Sequence, residues 1–129
     1  MECLADTIAI IRYFSELEPL GRKAKEVLEG ADKGENVIWI SIISVVEIMY
    51  LAEKNRIPLD LEELMEVLEK TNNYIVVDLD LEIVNVASKI SGMDLHDRLI
   101  VATAKYLEVP IISNDKVIRN SGIIDIIWD

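Results

Sequence analysis

The feature that most constrains this chain is an alternation. Compact β-branched and aliphatic runs, "NVIWIS" (36–41), "NYIVVDLD" (73–80), "VPIIS" (109–113) and "IIDIIW" (123–128), are separated by longer stretches with helical spacing. Strands with one wet face read as alternating polar and apolar residues, whereas these runs are nearly continuous in apolar character. Such strands are buried on both faces, which requires helices above and below a parallel sheet. The expectation is therefore an α/β fold: a three-layer α/β/α sandwich with a central, mainly parallel twisted sheet. In folds of this kind ligands gather beyond the carboxyl ends of the strands.

The helical stretches fit between those strands. "TIAIIRYF" (7–14) is the first. Residues 20–34 place Leu20, Ala24, Val27, Leu28 and Ala31 near helical spacing, with Gly34 as a stop. "SVVEIMYLAEKNR" (44–56) ends before Pro58, and "LDLEELMEVLEK" (59–70) carries a stripe of Leu61, Leu64, Met65 and Leu68. "LEIVNVASKI" (81–90) stops at Gly92, "DRLIVATA" (97–104) is a further helix, and "NDKVIRN" is a turn or short helix. Residues 1–6 predict only a weak first strand, because Glu2 breaks the apolar run.

At 129 residues, half of them hydrophobic, residues 1–129 are expected to form a single domain with a real core. No apolar run reaches the ~18 residues of a membrane span, and "MECLADTIAI" lacks the basic segment and long apolar core of a signal peptide. One cysteine, Cys3, rules out an intrachain disulfide and a cysteine-based zinc cluster. Together these point to a reducing cytoplasm. The net charge of −11 speaks against a broad basic face for nucleic acid and suits divalent cations or a basic partner.

Four carboxylates fall at the junctions that this fold gathers on one edge. Asp6 closes the first strand, Glu47 follows "VIWI" among apolar neighbours, Asp97 opens "DRLIVATA", and Asp115 follows "PIIS". Two carboxylates ~4 Å apart repel by roughly 4 kcal/mol at an effective dielectric near 20, so four together need protons or cations. Mg²⁺ and Mn²⁺ prefer such oxygens, and a pair of them can activate water and steady a phosphodiester under attack. Each acid also has a structural reading. Asp6 and Thr7 suit a helix cap, and Ser44-x-x-Glu47 suits a capping box unless Ser41 is the true cap. Asp97 suits a first turn with Asp94 as cap, and Asp115 suits an ordinary turn. His96, the only histidine, reads as a helix-start residue, since a metal site does not need it as a base.

The order Asp6-Thr7, then Ser41…Glu47 in "SIISVVEIMYLAE", then "HDRLIVATAKYLEVPIISND" resembles the PIN-domain ribonucleases, in particular the single-domain VapC-type toxins. The resemblance spans nearly the whole chain and is most specific over residues 96–115. It implies metal-dependent cleavage of RNA by an acidic quartet, Asp6, Glu47, Asp97 and Asp115, holding Mg²⁺ or Mn²⁺. Thr7 and Ser113 match hydroxyl residues that orient ligands or water, and Asn114 lies between as a weaker candidate. The family also implies homodimers and basic antitoxin partners. For RNA contacts Arg98 and Lys116 come first, each directly following a proposed ligand, ahead of Arg12, Arg22, Lys23 and Lys25. Two rivals stand beside this reading. One is a PIN-like module that binds or scaffolds without catalysis. The other is an aspartate-nucleophile phosphatase built on Asp78 and Asp80 of "VVDLDLEIV", although Asp80 also suits a helix cap.

Overall fold

The computed structural model describes residues 1–16 and 18–129. Strands β1 (Glu2–Ala5), β2 (Val37–Ser41), β3 (Tyr74–Val77), β4 (Ile111–Ile112) and β5 (Ile126–Ile127) form a five-stranded sheet in the order β3-β2-β1-β4-β5. Every pairing is parallel, with Leu4 opposite both Trp39 and Ile111. The helices between them are α1 (Thr7–Ser15), α2 (Arg22–Asp32), α3 (Ile42–Glu53), α4 (Leu61–Lys70), α5 (Leu81–Ser88), α6 (Leu95–Leu107) and α7 (Lys116–Ser121).

The period-2 geometry of the strands divides the core in two. Cys3, Ala5, Ile38, Ile40 and Ile112 pack on one face with Ile10 of α1, Leu28 of α2, Ile48 of α3 and Leu64 of α4. Leu4, Trp39 and Ile111 point the other way, onto Ile83 of α5, Val101 of α6 and Ile118 of α7. This is the three-layer α/β/α sandwich. β1 is a full strand despite Glu2, whose Oε1 accepts a 2.9 Å hydrogen bond from Trp39 Nε1 on the neighbouring strand. A polar side chain at an exposed strand end thus gains a cross-strand partner.

Two local expectations are corrected. Helix α3 begins at Ile42, not Ser44, because Ser41 Oγ caps it by accepting from Ile43 N at 3.1 Å. Ser44 is instead fully buried and accepts a 2.9 Å bond from Thr7 Oγ1, which removes the Ser44–Glu47 capping box and ties α3 to α1. On α4, Met65 is exposed, and Val67 joins Leu61, Leu64 and Leu68 against the core.

The strand order positions the site. From β1 the chain runs outward through β2 to β3, then returns to the other side of β1 for β4 and β5. Connections leaving β1 and β4 therefore part in opposite directions, and a crevice opens at their carboxyl ends. Asp6 N closes the junction with a 3.0 Å bond to the Ile112 carbonyl of β4.

Candidate metal centre

All four predicted acids meet in that crevice. Asp6, Glu47, Asp97 and Asp115 line one depression of about 250 Å³, together with Thr7, Asn114, Arg12 and the apolar pair Ile8 and Ile100. Each acid arrives by a different route. Asp6 is the residue after β1 and caps α1, its Oδ1 accepting from Ala9 N at 2.8 Å. Asp115 follows β4 and caps α7 through Ile118 N at 3.0 Å. Asp97 lies in the first turn of α6, whose cap is Asp94, and Asp97 N donates to Asp94 Oδ1 at 3.0 Å. Glu47 comes from inside α3, more than a turn past the Ser41 cap. Capping and ligation are thus compatible, since a carboxylate has lone pairs to spare after one backbone bond.

The electrostatics record the crowding. Asp6 is buried, and its pKa is raised to about 6, first by burial and further by Asp115. The Ser113 hydroxyl, the Ala9 amide and Arg12 pull in the other direction. Asp97 also rises to about 6, led by desolvation and followed by the charges of Asp94, Asp115, Asp6 and Glu47. The three other site acids are therefore all near enough to be felt at Asp97. A carboxylate that holds its proton for these reasons also welcomes a cation.

The donor set fits Mg²⁺ or Mn²⁺: the ionisable donors facing the depression are carboxylates, with Thr7 and Asn114 oxygens beside them. Among the described residues, however, no three His, Cys, Asp or Glu side chains converge closely enough to enclose an ion. The acids share a rim rather than a closed cage. Thr7 lines the rim, and Ser113 is fully buried, touching Asp6 and accepting from Asp115 N at 3.1 Å. Asn114 Oδ1 accepts from Arg119 Nη1 at 2.7 Å.

The two cations placed first for RNA do not line the depression. Arg98 Nη2 donates to the Ala87 carbonyl at 3.1 Å, and its Nε is buried without a partner. Lys116 is exposed on the first turn of α7. The cation that does line the site is Arg12. His96 is exposed and stands outside the lining set. So do Asp78 and Asp80; Asp80 caps α5 through Ile83 N at 3.0 Å.

Fold and site together define a class: a doubly wound parallel α/β fold with clustered carboxylates at its switch point. A family model for the PIN domain matches residues 3–122, and the chain belongs to the PIN domain family. A search of curated protein sequences finds no match. Among solved structures, the chain is similar to VapBC2 from Rickettsia felis bound to a DNA fragment from its promoter, at TM-score 0.73 and 16% identity over 100% of both chains. It is similar to DNA-bound VapBC from Salmonella typhimurium at TM-score 0.69 and 20% identity, covering 98% of this chain and 96% of that one. The PIN domain endonuclease Utp24 matches at TM-score 0.52 and 16% identity, covering 97% of this chain and 82% of that one. At these identities the likeness is one of fold.

Proposed function

We propose that this chain is a metal-dependent endoribonuclease, the toxin of a toxin–antitoxin pair, hydrolysing RNA phosphodiester bonds. The observation that carries the reading is the convergence of Asp6, Glu47, Asp97 and Asp115 on one depression, with Asp97 perturbed by all three of the others. In this reading the four acids hold one or two Mg²⁺ or Mn²⁺ ions. When bound, the ion supplies Lewis acidity that neutralises phosphate charge and makes water a nucleophile near neutral pH. The chain's own residues supply geometry. Ala9 N and the Ser113 hydroxyl fix the Asp6 carboxylate, the Thr7–Ser44 bond locks α1 against the helix bearing Glu47, and Asp94 anchors the turn carrying Asp97.

The partners follow the same reading. Val46, Met49 and Tyr50 make an exposed apolar stripe on α3, at i, i+3 and i+4, which supports pairing of two copies as a homodimer. A hollow between α1 and α2 is lined by Glu16, Glu18, Glu29 and Asp32 beside Tyr13 and Phe14, with Arg12 and Lys25 as its two cations, and this excess of acids suits a basic antitoxin segment. Among the described residues no helix is long and apolar enough to cross a membrane. The cytoplasmic placement is supported by the single cysteine, Cys3, a buried free thiol.

The test is cleavage of a mixed pool of structured RNAs by purified protein with Mn²⁺, beside a chelator control and Asp97→Asn. Cutting that needs the metal and falls by about 10²-fold or more in the variant supports the nuclease. A second reading, a PIN-like module that binds without catalysis, is favoured by the open rim of acids. It takes over if the protein neither cuts RNA nor responds to metal.

A further inference from the structure

Among the described residues that line the acidic depression, Arg12 is the one cation; it also lines the hollow between α1 and α2, where its guanidinium is held. Arg12 lies on α1 about one and two-thirds turns beyond its N-cap, Asp6. Arg12 Nη1 donates to the Pro19 carbonyl at 3.2 Å, and Nη2 pairs with Glu18 Oε2 at 2.9 Å. The guanidinium carbon sits 5.8 Å from the Trp128 ring centroid, within cation–π range. Trp128 is itself buried, and its carbonyl accepts from Ala24 N at 3.0 Å.

These contacts hold the guanidinium without consuming it. Among the described residues its ion pair is with Glu18, and no site acid comes within ion-pair distance of it. Its charge lowers the Asp6 pKa only slightly, less than burial, the Ser113 and Ala9 bonds or Asp115 move it. Of five N–H groups, one on Nη1 and one on Nη2 are engaged, and the rest have no hydrogen-bond partner among the described residues. A planar fork with a fixed orientation beside four acids matches the non-bridging oxygens of a phosphodiester, whose negative charge grows during attack.

We propose that Arg12 is a catalytic residue that grips the non-bridging oxygens of the scissile phosphate, and that Trp128 is the positioning residue that orients its guanidinium. This rests on the nuclease reading and adds to it the residue of this chain that meets the substrate. It also explains how a chain of net charge −11 admits a phosphate: the positive charge is placed inside the acidic site rather than spread over a surface.

The test uses Arg12→Gln, Arg12→Lys, Trp128→Phe and the double variant Arg12→Gln/Trp128→Phe. Mn²⁺ affinity is measured by calorimetry without RNA, and kcat and KM on an RNA that the wild type cuts. Arg12→Gln is expected to bind Mn²⁺ as tightly as wild type or more so, since a nearby positive charge is gone, while kcat falls about 10²-fold. Arg12→Lys, which keeps the charge and loses the fork, is expected to fall between. Trp128→Phe is expected to lower kcat about 2- to 5-fold, the weight of a weakened cation–π contact, and to have no effect on top of Arg12→Gln. A structural staple would lower stability and leave kcat alone. Wild-type kcat in both Arg12 variants overturns the inference and leaves the nuclease reading standing. So does loss of Mn²⁺ binding in Arg12→Gln, because Arg12 would then build the metal site. A wild type that cuts no RNA overturns both.

Discussion

A carboxylate as buried as Asp6 carries a cost that its neighbours only partly offset, and the sign of that cost is testable. Its folded pKa, about 6, lies above the ordinary 3.8. The contribution of Asp6 to stability is therefore fully present below about pH 4 and lost as pH rises through about 6. Asp6→Asn keeps an N-cap of equal quality and removes the titration. Without metal, the variant is expected to match the wild type near pH 4 and to exceed it at pH 7.5 by on the order of 1–3 kcal/mol, read from urea unfolding. A gap that does not grow with pH would count against this account of the site. The acids were readable in sequence because each interrupts an apolar junction, but which of the candidate cations lines the site was not. Arg98 and Lys116 follow Asp97 and Asp115 directly, yet consecutive residues on a helix project about 100° apart. Arg98 is accordingly turned onto the Ala87 carbonyl of α5. Arg12, six residues from its acid, is brought to the depression by α1, with its guanidinium on the Pro19 carbonyl and beside the Trp128 ring, an arrangement that only the folded chain fixes.

At the level of elements, the site depends on how α1, α2 and α3 are seated. Gly21, the N-cap of α2, has an ordinary φ of −60, so its requirement is space rather than backbone freedom. A Cβ at Gly21 would collide with the Trp128 carbonyl, which is held by Ala24 N. Gly21→Ala is expected to destabilise the protein by about 1–3 kcal/mol, measured by urea unfolding. Wild-type stability in that variant would show that the Trp128 backbone gives way at little cost. On α3, Ser41→Ala removes the cap and is expected to lose about 1 kcal/mol, with the midpoint of urea unfolding as the check. The strand and helix alternation was legible in the apolar pattern, but boundaries were less so. Ser41 and Ser44 are equally good caps by type. What separates them is that Ser44 is needed by Thr7 across the molecule, a contact no local pattern records. Likewise Met65 and Val67 of α4 both suit an apolar face, and the angle at which α4 docks decides for Val67.

For the whole molecule, the parallel order β3-β2-β1-β4-β5 converts four scattered acids into one site, because the switch point lies between β1 and β4. Near-continuous apolar strands revealed the parallel class in advance. The sequence could not reveal which strand is central, since β1 is short and opens on Glu2; burial of Cys3, Leu4 and Ala5 shows it. The exposed stripe of Val46, Met49 and Tyr50 belongs to this scale as well. Met49→Glu is expected to turn a dimer into a folded monomer, as light scattering with circular dichroism would report. An unchanged mass would move the interface elsewhere. The most direct test of the acidic site is calorimetric titration of the metal-free protein with Mn²⁺ at pH 6 and pH 8, in buffers of different ionisation heat. Asp6 and Asp97, both near pKa 6, predict saturable binding that releases protons at pH 6 and almost none at pH 8, weakened in Asp97→Asn. Absence of binding, or binding indifferent to pH and to Asp97, would contradict a metal centre built from these four carboxylates.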